Sequence, residues 1–331
     1  MSLARLGRLV ERLRAARGFA PGWTAGGFLA ARPAAAARTA SAFDGSASDG
    51  SGLDGSGLDD PGRDGRGRAA APGAPQPPPL WPAARLALAG ELWGEGFVQP
   101  GAAAEILRLA APLGLSEASS LLLVGVGAGG PARVLAEEFG AWVAAHDGEP
   151  ALRAAAAAHV ARGAAAVAKR VSVAGWNPRD PGLRRHGFHH ALVLDGLRHG
   201  DIAAALGALV AAVKPGGQFV LQELVAEEPG AALAAWCRLD GRAPPPRAGQ
   251  IGDELARLGL DIRVSEDQSA RHQGQICQGF AARLRELQGA RLPAAYAAAL
   301  VGEAERWLRR VRLMQAGGLR LMRWHALAPG R

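Results

Sequence analysis

Lysine is nearly missing from this chain of 331 residues: it occurs only at Lys169 and Lys214, among 38 basic residues. The formal charge of +8 is therefore carried by arginine, and with so much alanine it looks like the bias of a GC-rich genome. A basic balance of that origin argues only weakly for nucleic acid. No RNA-binding signature accompanies it and aromatic content is low, so no nucleic-acid partner is expected. Tyrosine is scarcer still, with Tyr296 alone. Cysteine appears twice, at Cys237 and Cys277, without a C-x-x-C, which speaks against a zinc site or a disulfide framework. The histidines include the pair His189-His190 but no cluster at metal-ligand spacing, so no metal is expected. No run of about 18 apolar residues is free of charge, which excludes an integral membrane segment. The N-terminus lacks a secretory h-region and cleavage site, which predicts a reducing, cytoplasmic setting.

What is present is organised in three parts. Residues 1–30 begin with a basic amphipathic stretch over 1–17. Leu3, Leu6, Val10 and Leu13 recur at helical spacing with Arg5, Arg8, Arg12 and Arg14 between them. Such a helix either packs on the domain or makes a peripheral contact with an anionic membrane surface. Residues 31–79 are a Gly/Asp/Ser/Pro-rich linker, with a direct repeat in Ser51–Asp59, and are expected to be disordered. The folded domain spans 80–331. Strands are predicted at 120–126, 141–146, 167–174, 190–195 and 218–225, alternating with helices at 131–139, 150–163 and 201–212. This alternation predicts a parallel sheet with helices on both faces. After the prolines near 243–246 a helix at 249–258, a strand at 260–265, a helical insertion at about 274–316 and a last strand at 319–326 are predicted. The last two strands should pair antiparallel at the sheet edge.

The most informative stretch is Ser120–Gly130, an apolar run ending in Gly125-Val-Gly-Ala-Gly129-Gly130, with Asp147 at the tip of the next strand. Glycines let the backbone approach a ligand, and a carboxylate there can take both ribose hydroxyls. Gly125, Gly127 and Gly130 also fit the dinucleotide pattern G-x-G-x-x-G. From these residues alone a nicotinamide-binding oxidoreductase, or a tight turn without ligand, stays open.

Lys214-Pro-Gly-Gly217, followed by the strand Gln218–Glu223, is the second feature. With the glycine loop, Asp147 and the terminal antiparallel pair, it resembles class I S-adenosylmethionine-dependent methyltransferases over roughly residues 90–327. Leu92-Trp-Gly-Glu-Gly-Phe-Val-Gln-Pro-Gly101 and Asp195-Gly-Leu-Arg-His199 are similar to segments of the phosphoethanolamine N-methyltransferases. The resemblance implies a doubly wound, mostly parallel seven-stranded Rossmann-like α/β sheet with an antiparallel C-terminal edge strand. It implies S-adenosylmethionine as cofactor, with Gly125, Gly127 and Gly129 as floor and Asp147 on the ribose. Asn177 with Trp176 would form the adenine slot, and Val98 and Gln99 belong to the segment that closes over the donor. His199 is the candidate general base for a small amine acceptor, and Asp195 would hold the amine or orient the base. Trp93, Phe97 and Trp236 are candidates for an aromatic wall around an ammonium or apolar substrate, or else for core packing. Two departures stand out. Leu123 occupies the place of the usual acidic residue before the loop, and Leu224 that of a phosphate-binding tyrosine. They support an alternative, a donor-binding scaffold or degraded enzyme without turnover.

Overall fold

The structure is a computed structural model and describes residues 79–288 and 290–330. The basic helix expected at 1–17 and the linker expected at 31–79 lie outside the described residues, Pro79 excepted. Two helices come first, α1 (Ala83–Trp93) and α2 (Ala102–Ala110). Next come β1 (Ser120–Val124), α3 (Gly130–Phe139), β2 (Trp142–Asp147), α4 (Pro150–Ala161), the short α5 (Ala165–Ala168) and β3 (Val171–Gly175). They are followed by β4 (His190–Leu194), α6 (Ile202–Ala212), β5 (Gln218–Val225), α7 (Ala231–Asp240) and α8 (Ala248–Arg257). Then come β6 (Asp261–Asp267), α9 (Ser269–Glu286), α10 (Ala294–Gln315) and β7 (Arg320–Leu327). Among the described residues no helix is long and apolar enough to cross a membrane.

Local chemistry sets the helix ends. Pro131 and Pro150 sit in the first turns of α3 and α4, where their missing N–H is not needed. The Asp201 carboxylate caps α6 by accepting from the Ala204 N–H at 3.2 Å.

The strands form one seven-stranded sheet in the order β3-β2-β1-β4-β5-β7-β6. The first five run parallel, and β7 lies between β5 and β6, antiparallel to both. The terminal antiparallel pair is thus at the sheet edge, with β6 outermost. Side chains alternate along β1 as a pleated strand requires. Leu121 and Leu123 join the apolar layer under α2 and α3, while Leu122 and Val124 join the layer under α6 and α8. A separate apolar cluster ties α1 to α9 and α10.

Two sequence expectations shift. The third strand begins at Val171, because residues 165–168 wind into a helical turn. The alternating Ala and Val of that stretch suit either state. Helix α7, between Gly230 and Gly241, falls where no element was expected.

The order of strands reverses between β1, with β2 on one side, and β4 on the other. Ligands in such sheets bind in the crevice beyond the carboxyl ends at that point. The chain brings four chemical segments there: Gly125–Gly129 after β1, Asp147 ending β2, Trp176 after β3, and Asp195–His199 after β4.

Candidate active site

A cavity partly open to solvent occupies the crevice. Gly125, Gly127, Asp147, Trp176, Asp195 and His199 line it, together with Phe97, Val98 and Gln99 from the segment between α1 and α2.

The floor is built from backbone. Gly125 has φ +79°, and a Cβ there would lie 1.8 Å from the Leu194 carbonyl oxygen. Gly127 has φ +62°, and its Cβ would meet a Val98 methyl at 2.7 Å. No other residue fits either position without displacing its neighbour. Gly129 precedes α3 and lies against Ala156, outside the cavity lining itself. The loop is anchored to β2: Gly125 and Val126 N–H donate to the His146 carbonyl at 2.8 and 3.2 Å, and Gly127 N–H donates to Asp147 Oδ2 at 2.9 Å. Asp147 Oδ1 accepts from Glu149 N–H at 3.0 Å. Burial raises the Asp147 carboxyl above its ordinary value, opposed by these two backbone bonds. Each carboxylate oxygen keeps an acceptor position for a further donor.

The segment before α2 closes over this floor. Gly96 carbonyl accepts from Gly130 N–H at 2.8 Å, the first amide of α3. Val98 is buried; Gln99 is exposed, and its Oε1 faces Arg310 Nη1 at 3.4 Å.

Trp176 is buried and its indole N–H donates to the Gly196 carbonyl at 3.0 Å, joining the β3 and β4 sides of the crevice. Asn177 is not in the cavity lining. It is exposed, and its Oδ1 accepts from Arg179 N–H in a local turn, as an asparagine before a proline readily does.

His199 stands at the mouth, with Nε2 so close to Gly148 that a Cβ there would approach within 2.5 Å. Burial and the Arg198 charge lower its pKa below the ordinary histidine value, and Asp195 opposes them. Asp195 is not open to a substrate amine on all sides. Its Oδ1 accepts from Arg242 Nη1 at 2.6 Å, and Arg198 approaches Oδ2 at 3.9 Å. Burial works against the Asp195 charge, but Arg242 and Arg198 outweigh it and hold the carboxyl below the usual range.

The expected aromatic wall is corrected. Phe97 lines the cavity, but Trp93 and Trp236 do not. Trp93 meets Phe280 and Trp307 edge to face at 5.6 and 5.2 Å in the cluster of α1, α9 and α10. Trp236 is 1% exposed and packs among Leu224, Leu233 and Leu321. Both lie on the apolar stripes of their helices, which draws Trp93 into helix contacts and Trp236 against β5 and β7. The cavity instead receives Trp81, whose buried indole N–H finds no partner among the described residues.

Sequence reasoning missed the polar lining supplied by Gln222, Gln275, His272, Arg198 and Arg310. Arg310 is buried, with Gln99 at 3.4 Å, His272 at 3.5 Å and the Asp240 carboxylate at 3.5 Å, and its guanidinium lies over the Trp307 and Trp236 rings at 4.5 and 5.4 Å. Burial lowers its pKa, although Asp240 and Asp195 pull the other way. Burial, and then Arg310, push His272 down to about 3, so it stays neutral. The available signal was a charged or polar residue on a buried helical stripe, such as Arg310 beside Trp307 and Val311. Leu123 is fully buried in the apolar layer. The other carboxylates lining the cavity are already paired, Asp195 as above and Glu105 with Arg108 and Arg271. His189 and His190 lie at the opposite end of the sheet, bonded to Ser120 and to Gln218 N–H. No group of three or more residues suited to a metal ion occurs among the described residues.

The fold is that of the S-adenosylmethionine-dependent methyltransferases. No family sequence model and no curated protein sequence matches the chain, but solved structures do. Phosphoethanolamine N-methyltransferase 2 of Haemonchus contortus, in complex with S-adenosyl-L-methionine, matches with a TM-score of 0.64 at 19% identity. The match covers 74% of this chain and 56% of that one, so the chain spans about half the length of that enzyme. Geranyl diphosphate C-methyltransferase of Streptomyces coelicolor, in complex with Mg2+, geranyl diphosphate and S-adenosyl-L-homocysteine, matches at 0.53 and 14% identity, over 68% of this chain and 77% of that one. The [4+2]-cyclase SpnF matches at 0.58 and 20% identity, over 74% and 92%.

Proposed function

We propose that this chain transfers a methyl group from S-adenosylmethionine to a small-molecule amine that also carries an acidic group. The observation that carries the reading is the junction, in one cavity, of a backbone floor with a ribose-type carboxylate, a histidine and a buried arginine. The residues suit the donor: Gly125 and Gly127 leave room for a close ligand, Asp147 has acceptor positions to spare, and Trp176 offers an aromatic edge. When bound, S-adenosylmethionine supplies a methyl group on a positively charged sulfur. Floor and lid hold the reacting groups in line and exclude water.

The acceptor amine must lose a proton before its lone pair can attack. His199 takes it, and its lowered pKa keeps the imidazole neutral and ready near neutral pH. Arg242 and Arg198 hold Asp195 ionised beside this loop, so its charge steadies the imidazolium that forms. Arg310 is buried without a short hydrogen bond, which favours an acidic group on the acceptor. The Haemonchus enzyme has been solved with phosphomonomethylethanolamine, a small amine bearing a phosphate.

The test is a labelled-methyl assay on small amines with and without a carboxylate or phosphate, using wild-type protein and His199→Ala. Transfer to the acidic amines, reduced about 10²–10⁴-fold in the variant with donor affinity kept, is expected. Transfer only to amines lacking an acidic group would refute the role of Arg310. A second reading is favoured by Leu123 and by the [4+2]-cyclase that shares the fold: the donor site serves a protein that transfers no methyl group. Tight adenosylhomocysteine binding with no labelled product from a broad metabolite extract would select it.

A further inference from the structure

The turn Asp195–Gly200 carries His199, and neighbouring elements fix it at almost every residue. Asp195 N–H donates to the Gln222 carbonyl at 2.9 Å, and Ala243 N–H donates to the Arg198 carbonyl at 2.9 Å. Leu197 N–H donates to Glu223 Oε2 at 2.8 Å. Glu223 is fully buried in β5, where a carboxyl is a poor choice for packing alone. Its Oε1 accepts from Leu224 N–H at 3.0 Å and from Arg242 Nη2 at 3.1 Å. The Arg242 side chain is wholly buried and reaches from Glu223 to Asp195. Asp195 itself has φ +53°, a left-handed backbone that a residue with a Cβ keeps only when its surroundings enforce it. Neither Glu223 nor Arg242 lines the cavity.

We infer that Glu223 and Arg242 are positioning residues: a buried brace that holds the Asp195–His199 turn in the conformation aiming His199 into the crevice. The inference rests on the proposed role of His199 as base. Arg242 arrives just past α7 and Glu223 from β5, so the brace couples the turn through two side chains that do not line the cavity. Arg242 gives a separate nitrogen to each carboxyl, Nη1 to Asp195 and Nη2 to Glu223, whereas a lysine would bring a single nitrogen on a shorter side chain.

The test uses the full chain with Glu223→Gln and Arg242→Lys. Glutamine keeps the size, but its amide NH2 must face one of the backbone N–H groups that the carboxyl now accepts. Lysine keeps the charge and reaches one carboxyl. Both variants should melt cooperatively and bind adenosylhomocysteine as wild type does. On an active acceptor, kcat should fall on the order of tenfold to a hundredfold with KM little changed, the loss expected from misplacing a reacting group. The His199 ring signal in NMR, assigned by its absence in His199→Ala, should move, and its titration should change as the ring shifts relative to Arg198 and Asp195. His199 faces Arg198 and Asp195 on its own turn, Arg242 after α7 and Glu149 before α4, and none of these is removed in Glu223→Gln. An unmoved His199 signal in folded Glu223→Gln, or a kcat loss that only follows lost folding or donor affinity, overturns the inference. Hydrogen exchange in wild-type protein is a check that needs no variant: Leu197 N–H should be protected as well as the β5 amides, and rapid exchange there removes the brace. If wild type methylates no amine, the proposed function fails, while the NMR and exchange results still decide the brace.

Discussion

Replacing Asp147 with alanine should weaken adenosylhomocysteine binding by about 1.5–3 kcal/mol, the range for hydrogen bonds to a charged group. That is roughly a 10- to 150-fold rise in Kd. The structure adds a second effect. Both carboxylate oxygens already accept backbone N–H groups, Gly127 at 2.9 Å and Glu149 at 3.0 Å, so the side chain holds the floor as well as lining the cavity. Stripping it leaves the Gly127 N–H without its partner, a loss of about 1–3 kcal/mol when buried, and the variant should melt earlier. Calorimetry separates the two effects when it is repeated with a donor analogue lacking both ribose hydroxyls. If Asp147 holds those hydroxyls, the substitution weakens the analogue much less than adenosylhomocysteine, and the difference is the coupling. An unchanged Kd for adenosylhomocysteine in a folded variant would refute the placement of the ribose. Equal losses for both ligands would mean that Asp147 acts only through the loop.

Gly125→Ala should destabilise the fold by on the order of 3 kcal/mol or more, read as a strongly lowered urea midpoint, because left-handed backbone strain adds to the clash with the Leu194 carbonyl; a wild-type midpoint contradicts this. His272, at about 3 in the folded protein, stays neutral while the unfolded chain takes up a proton below about pH 6.5. Stability therefore falls as the solution is acidified through that window, by about 2 kcal/mol down to about pH 5 from this residue. His272→Gln should flatten that part of the curve in urea titrations, and an unaltered acid limb would show that His272 does titrate in the native state. A chain beginning near residue 80 should melt cooperatively and still bind adenosylhomocysteine; aggregation or lost binding would move the domain boundary.

The crevice was legible because its parts are local. A glycine loop after an apolar strand, an acid at the tip of the next strand and a Lys214-Pro-Gly-Gly turn before β5 each sit within a few residues, and their order implies the sheet. The polar wall was not legible. Gln222, His272 and Arg310 lie on β5, α9 and α10 and meet only when the sheet and its helical cover are assembled. Nothing in the sequence near Arg310 distinguishes it from Arg306, Arg309 or Arg312 except its place on the buried stripe. The aromatic wall failed for a related reason. Trp93 and Trp236 have the right residue type, but helical spacing turns Trp93 into helix contacts and Trp236 against β5 and β7, and leaves Phe97 and Trp81 at the cavity. Helix α7 escaped notice although Gly230 and Gly241 bracket it, because the run of prolines just beyond suggested an extended connection.

The position of β7 has a consequence for how the molecule is made. β6 pairs with no strand except β7, and β7 fills the slot beside β5. While residues 320–327 are still being synthesised, β6 therefore has no place to dock, and one edge of β5 stays open. α9 and α10 hang between these two strands and inherit the delay, and with them the wall that carries His272 and Arg310. The glycine-loop half of the crevice is built from contacts closer in sequence and can form early, whereas the wall with His272 and Arg310 waits for the strand pairing most distant in sequence among the described residues. During that interval the nascent protein exposes an unpaired strand edge, the surface on which chaperones and aggregation compete.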